Sequence, residues 1–291
     1  MAQFMISAFA DEAAKDLDGQ IAALKRNGLV LIEPRTVINN IIEKTDAEIT
    51  EIAEKLKEAG ISLSALGSPI GKYSIEEPFE PHLAAFERAL AACKILGTDR
   101  MRIFSFFVPR DRVADYRDEV LRRMQILLQR AKEEGITLCH ENEAKIYGQN
   151  PEEVADLLTA LPELGGVFDA ANYIMDAQDP IEGFLATAPS LVYMHVKDAK
   201  IDKTIVPVGM GDGKYDEVIR RLETMTDQTV ILTVEPHLKS FTGYASIDSR
   251  EMKHDIHFEN SDESFDFAIN SLKNLLTSLG YHEENNHVWK K

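Results

Sequence analysis

One phrase repeats along this chain: an amphipathic helical stretch, a glycine, then a short continuous apolar run. LKRNGLVLIE (24–33), LKEAGISLSAL (56–66), CKILGTDRMRIF (93–104) and AKEEGITLCHE (131–141) all carry it. A glycine at that point ends a helix in the left-handed conformation with no Cβ penalty. The run after it is too short and too uniformly apolar for a surface helix, and suits a strand buried on both faces. The pattern predicts strands near 4–9, 29–34, 61–66, 101–106, 136–141, 166–169, 191–196 and 229–235.

Helices fill the intervals. Thr45 and Glu48 have capping-box spacing ahead of a helix at 46–59. Asn150-Pro151-Glu152-Glu153 supplies an N-cap, a first-turn proline and acidic first-turn residues, and Asp179-Pro180 repeats the device. Segments 79–97, 112–134 and 261–279 have helical apolar spacing, with Phe265, Ile269, Leu272 and Leu276 in the last. Strand and helix alternate throughout, with no composition shift to mark a second domain. This predicts an α/β chain folded as a single (β/α)8 TIM barrel over 1–280, with a C-terminal tail at 281–291 anchored by Trp289 alone. Period and length do not show closure, so a doubly wound open sheet stays as the alternative. The polar stretch 236–260 reads as a loop folding over the barrel mouth as a lid.

Composition narrows the partners. With 44% apolar residues the chain can bury a full core. A formal charge of −17 opposes duplex nucleic acid and anionic membrane as partners and favours a small ligand. Cys93 and Cys139 stand apart, as in a reducing compartment. No basic leader precedes the first apolar run, and no segment approaches the roughly 20 apolar residues of a membrane span. A cytoplasmic location is therefore expected, and a homo-oligomer stays open.

Four residues of metal-ligand type close the last four predicted strands: Glu141 in ITLCHEN, Asp169 in GGVFDAAN, His195 in LVYMHVKD and Glu235 in VILTVEPH. Side chains at the carboxyl ends of barrel strands point into the mouth, where this fold keeps its active sites. Carboxylates with an imidazole suit one divalent ion such as Mn, Mg, Co or Zn. His195 would give one nitrogen to the ion while an acceptor orients the other. Around this set, Glu33 and Arg35 at the end of the second strand are read as substrate contacts, with a buried rim ion pair as the plainer option. Lys197 and His237 are further substrate-contact candidates. His140 should face away from the mouth by strand alternation. The GSPIGK segment (67–72) lacks P-loop spacing, and like VGMGDG (208–213) it reads as a turn. His254 and His257 read as exposed loop residues.

These segments resemble the xylose isomerase-like TIM-barrel superfamily. Glu141-Asn142, Phe168 to Asn172, His195 to Asp198 and Glu235 to His237 carry the resemblance, which runs from about Ile6 to Leu238. IEPR, GSPIGK, RIFSF and ENEAKIYG look like a subgroup labelled sugar phosphate isomerase/epimerase. The resemblance implies one divalent metal ion held by Glu141, Asp169, His195 and Glu235. It also implies that Glu141 and Glu235 act as catalytic acid and base beside a carbonyl, through a metal-bound enediolate of a small sugar or sugar phosphate. Many members carry D-x-x-H where this chain has Asn172, so an amide is expected to take over that sugar contact. An inosose dehydratase-like lyase and a non-catalytic sugar-binding barrel are the alternatives. Endonuclease IV is related, but its extra His ligands are absent from IEPR and SALGSP.

Overall fold

The predicted runs are all strands, and their pairing closes on itself. The computed structural model describes residues 1–239 and 253–291. Gln3–Ala8 pairs in parallel with Thr229–Val234. From there the ring runs through Leu191–Val196, Gly165–Asp169, Thr137–Glu141, Arg100–Ile103 and Leu66–Gly67. The remaining arc is Leu31–Ile32 beside Ser62–Leu63, again parallel. Ser62–Leu63 and Leu66–Gly67 are two halves of one broken third strand. Glu33 N–H donates to Ala8 O at 3.1 Å and Gly67 N–H to Pro34 O at 3.0 Å, which ties the second strand to both neighbours. The chain is a closed (β/α)8 barrel, not an open sheet.

The outer helices lie where capping chemistry places them. Asp46–Glu58 has both halves of the Thr45/Glu48 capping box. It buries Ile49, Ile52 and Leu56 at helical spacing, each stabilising by about 1.5–3 kcal/mol when fully withdrawn from water. Pro151–Ala160 and Pro180–Thr187 start behind Asn150 and Asp179, whose side chains accept from Glu153 N and Ile181 N. Phe79–Leu96, Val113–Glu133 and Ser261–Ser278 match the predicted long helices. The glycines at 28, 60, 97 and 135 all have positive φ, the left-handed stop read from the repeat.

Strand alternation decides which side chains enter the barrel. Ala65, Cys139, Val167 and Tyr193 form a small buried cluster apart from the main core. Two residues beyond Cys139 and Tyr193, on the same face, stand Glu141 and His195. His140 faces the other way, buried, with Nε2 2.8 Å from Ser105 Oγ.

The C-terminal segment departs from the tail expected at 281–291. His282–Glu283 and Trp289–Lys290 form a hairpin added to the main sheet, with Trp289 opposite Phe4. Tyr281 is also buried and meets the Phe4 ring edge-on at 5.0 Å. The second strand is too short to cover the start of the first, so the hairpin covers that edge. The lid expected over 236–260 falls largely on 240–252, outside the described residues. Of its flanks, Lys253–His254 pairs with Thr204–Val206, and half-buried His254 has Nε2 2.7 Å from His237 O. Among the described residues no helix is long and apolar enough to cross a membrane.

Candidate functional site

Barrel stagger brings the four strand-end residues to one point. Asp169 and His195 are direct partners across their strands, and Glu141 lies opposite Val167. Glu235 extends the last strand by one residue, its N–H donating to Val196 O at 3.1 Å. Ligand atoms of Glu141, Asp169, His195 and Glu235 lie within 4.8 Å of one another, and all four residues are buried.

Each is held from behind. His195 Nε2 lies 3.3 Å from both oxygens of Glu33, which also accepts 2.8 Å from Tyr193 Oη–H. That carboxylate orients the ring and leaves Nδ1 facing the cluster. Asp169 caps the short helix Ala170–Met175 through Oδ1, accepting from Asn172 N at 2.9 Å. Its backbone is clamped by Asn142, whose amide donates to Asp169 O and accepts from Asp169 N. Arg102 holds Glu141 Oε2 at 3.0 Å. Arg35 holds Glu235 Oε1 at 2.6 Å. Each glutamate thus has one oxygen fixed by an arginine and one turned towards the cluster.

The donor set fits a divalent ion. His195 Nδ1 and Asp169 Oδ2 are buried and make no well-aligned hydrogen bond among the described residues, each meeting an ion-pair partner instead. Nδ1 stands 3.0 Å from Glu141 Oε1. Lys197 Nζ lies 3.1 Å from both Asp169 Oδ2 and Glu235 Oε2 and pairs with both. Burial favours the protonated carboxyls, but His195 and Arg102 hold Glu141 below its ordinary pKa. Lys197, His237 and Arg35 hold Glu235 well below it in the same way. At Asp169 burial outweighs Lys197, and its pKa rises to about 7. Burial would lower the pKa of His195, yet the Glu141 and Glu33 charges raise it to about 10. A divalent ion would take the place of that imidazole proton. A second grouping, Glu12, Glu235 and His237, shares Glu235 with the first. There the Arg35 guanidinium supplies the positive charge, 3.1 Å from Glu12 Oε1.

The expected substrate contacts divide. Glu33 is fully buried behind His195, with no face to the mouth. Arg35 is a buried ion pair at the rim, bonded to Asp11, Glu12 and Glu235, and it also lines a cavity. Asn172 turns its amide to Asn142 O at 2.9 Å and Glu141 Oε1 at 3.3 Å. Lys197 and His237 both reach the cluster, His237 Nε2 lying 3.4 Å from Glu235 Oε1. Asp198, by contrast, belongs to the scaffold: it accepts from the N–H groups of Gly209, Gly211 and Gly213 and so closes the VGMGDG turn. Arg102 escaped the sequence reading, although a charge within the apolar run MRIF was its signal.

A closed barrel with three carboxylates and one imidazole converging at its mouth defines a class of proteins built around a small polar site. Residues 21–258 match the sequence profile of the xylose isomerase-like TIM barrel family, and the chain belongs to that family. No curated protein matches it at the level of sequence. Among solved structures it is similar to the IolI protein with a bound zinc atom (TM-score 0.75, 13% identity, covering 95% of this chain and 99% of that one). It is also similar to D-allulose 3-epimerase from Methylomonas sp. (TM-score 0.71, 16% identity, 94% and 100%). A third is the probable 3-DHS dehydratase AsbF from Bacillus anthracis (TM-score 0.71, 15% identity, 93% and 99%). At such identities the likeness speaks for the fold.

Proposed function

We propose that this protein is a divalent-metal-dependent isomerase or epimerase of a small sugar or sugar phosphate. The observation that carries the reading is the pair of arginine-held glutamates, Glu141 and Glu235, whose other oxygens converge with Asp169 and His195. An ion held by these four residues would act as a Lewis acid on a substrate carbonyl and so acidify the neighbouring carbon. Glu141 and Glu235, both favoured as carboxylates, take the proton from that carbon and return one to it. They project from the fifth and eighth strands, so two bases serve one carbon, and two bases can invert its configuration. Lys197, beside Asp169 and Glu235, steadies the charge that develops on substrate oxygen.

The test is hydrogen exchange in D2O with metal-loaded protein and a panel of ketoses, ketose phosphates and inososes. Deuterium at a single carbon identifies both the substrate and the position attacked. Glu141→Gln and Glu235→Gln should each lower that exchange by roughly 10²–10⁴-fold, with metal content assayed in each variant. A variant that keeps its metal and near-normal exchange removes that glutamate from the reaction. The likeness to a dehydratase favours one second reading, a lyase that takes the same proton and expels water. A product lighter by one water would identify it.

A further inference from the structure

Strand alternation returns every second side chain to one face, so the HVKD segment sends both His195 and Lys197 to the mouth. Asp198 turns aside into the glycine-rich turn. Lys197 is buried, and Tyr215 pins its backbone: the N–H donates to Oη at 3.1 Å, and the C=O accepts from the same hydroxyl at 2.9 Å. The ammonium ends a flexible four-carbon stem, so it can shift while the backbone stays in place.

That ammonium lies among the cluster carboxylates, each of which has one oxygen committed elsewhere. Glu141 Oε2 is held by Arg102, Glu235 Oε1 by Arg35 and Asp169 Oδ1 by the Asn172 N–H. Of the oxygens left to face the cluster, Glu141 Oε1 meets His195 Nδ1 at 3.0 Å. The other two, Asp169 Oδ2 and Glu235 Oε2, both meet Lys197 Nζ at 3.1 Å. These are the oxygens through which the two residues would ligate a divalent ion. The arginines approach their glutamates on the opposite oxygens, whereas Lys197 stands on the ligand side. An ammonium and a divalent ion in contact with the same two oxygens repel each other strongly in so dry a site.

We propose that Lys197 is a displaceable counter-ion, which competes with the metal for Asp169 and Glu235. Without metal it neutralises the two carboxylates and keeps the mouth assembled. When metal is loaded it yields both oxygens, and its charge then serves the substrate oxygen. The lysine also holds the affinity for the ion below what the four ligands alone would give. The proposal rests on the metal-centred reading for the ion and on the Lys197 contacts for the competition.

Equilibrium dialysis against Mn2+ at pH 8, where protons compete little for the ligands, compares the wild type with Lys197→Met and Lys197→Gln. Both side chains are uncharged, and the amide of Lys197→Gln keeps a donor to the two oxygens should the apolar variant not fold. Each variant should bind the ion tighter by roughly tenfold or more. Metal-free, each should unfold at a urea concentration lower by about 1 M, because buried carboxylates lose their partner. Saturating Mn2+ should narrow that gap. A lysine that only supports the fold would lower both midpoints alike and leave affinity unchanged or weaker. That result overturns the competition, while Mn2+ on the wild type leaves the metal-centred reading standing. Mn2+ bound by the variants but not by the wild type supports the competition and overturns that reading. Mn2+ bound by none of the three overturns both.

Discussion

Glu33 determines which nitrogen His195 offers to the cluster. Its carboxylate faces Nε2 at 3.3 Å and receives the Tyr193 hydroxyl, so ring orientation depends on a residue that never reaches the mouth. Glu33→Gln keeps the volume but removes the charge that fixes the ring. Metal affinity should fall by roughly 10–100-fold, as is usual when such a partner is lost, with far-UV circular dichroism unchanged. A competition titration with a chelator measures it, and unchanged affinity would refute the positioning role. At this scale the sequence discloses the residues that end strands, because each of Glu141, Asp169, His195 and Glu235 closes an apolar run. It does not disclose pairings made across the barrel. Glu33 reaches His195, Arg35 reaches Glu235 and Arg102 reaches Glu141 only once the ring has closed, and no local pattern records such a meeting.

The segment after the third strand connects a helix to the cavity that Arg35 lines. His82, on Phe79–Leu96, accepts the Gly71 N–H at 2.9 Å through Nε2, which fixes the turn that carries Lys72 and Tyr73. Gly71 has φ +89°, and a Cβ there would collide with Phe104 O, so this turn admits little else. Burial, then the charge of Arg123, lowers the His82 pKa from 6.5 to about 4. Between those values the unfolded chain binds a proton that the folded chain refuses. Stability from this group is present above pH 6.5 and is lost as pH falls towards 4. The loss is about 3 kcal/mol over the whole interval. His82→Gln should flatten the acid limb of stability against pH, as read by urea unfolding at pH 7, 6 and 5. Equal slopes in the two proteins would show that His82 does not contribute. Helices were legible at this scale because caps and glycine stops are local signals. The break in the third strand was not, since Ser64 turns inward to bond Ser7 at 2.8 Å, a contact between strands distant in sequence.

For the molecule as a whole, barrel stability and site chemistry occupy opposite ends. Parallel order was readable from the repeat, whereas closure was not, because it rests on a two-residue second strand and on bonds such as Glu33 N–H to Ala8 O. The C-terminal hairpin was hidden for the same reason: two-residue strands carry no period. Trp289 is 6% exposed opposite Phe4, near the start of the first strand and away from the mouth at the strands' carboxyl ends. Tyr281 packs on the same Phe4 and donates its hydroxyl to Glu223 at 3.1 Å. Trp289→Ala should therefore lower the unfolding free energy by roughly 3 kcal/mol, the lower range for a buried tryptophan. Because the barrel end opposite the mouth serves stability and not the site, metal affinity at 25 °C should not move. Urea unfolding and a chelator titration on the same variant separate the two. A drop in metal affinity equal to that of Glu33→Gln would mean that the hairpin acts on the mouth and that the two ends of the barrel are coupled.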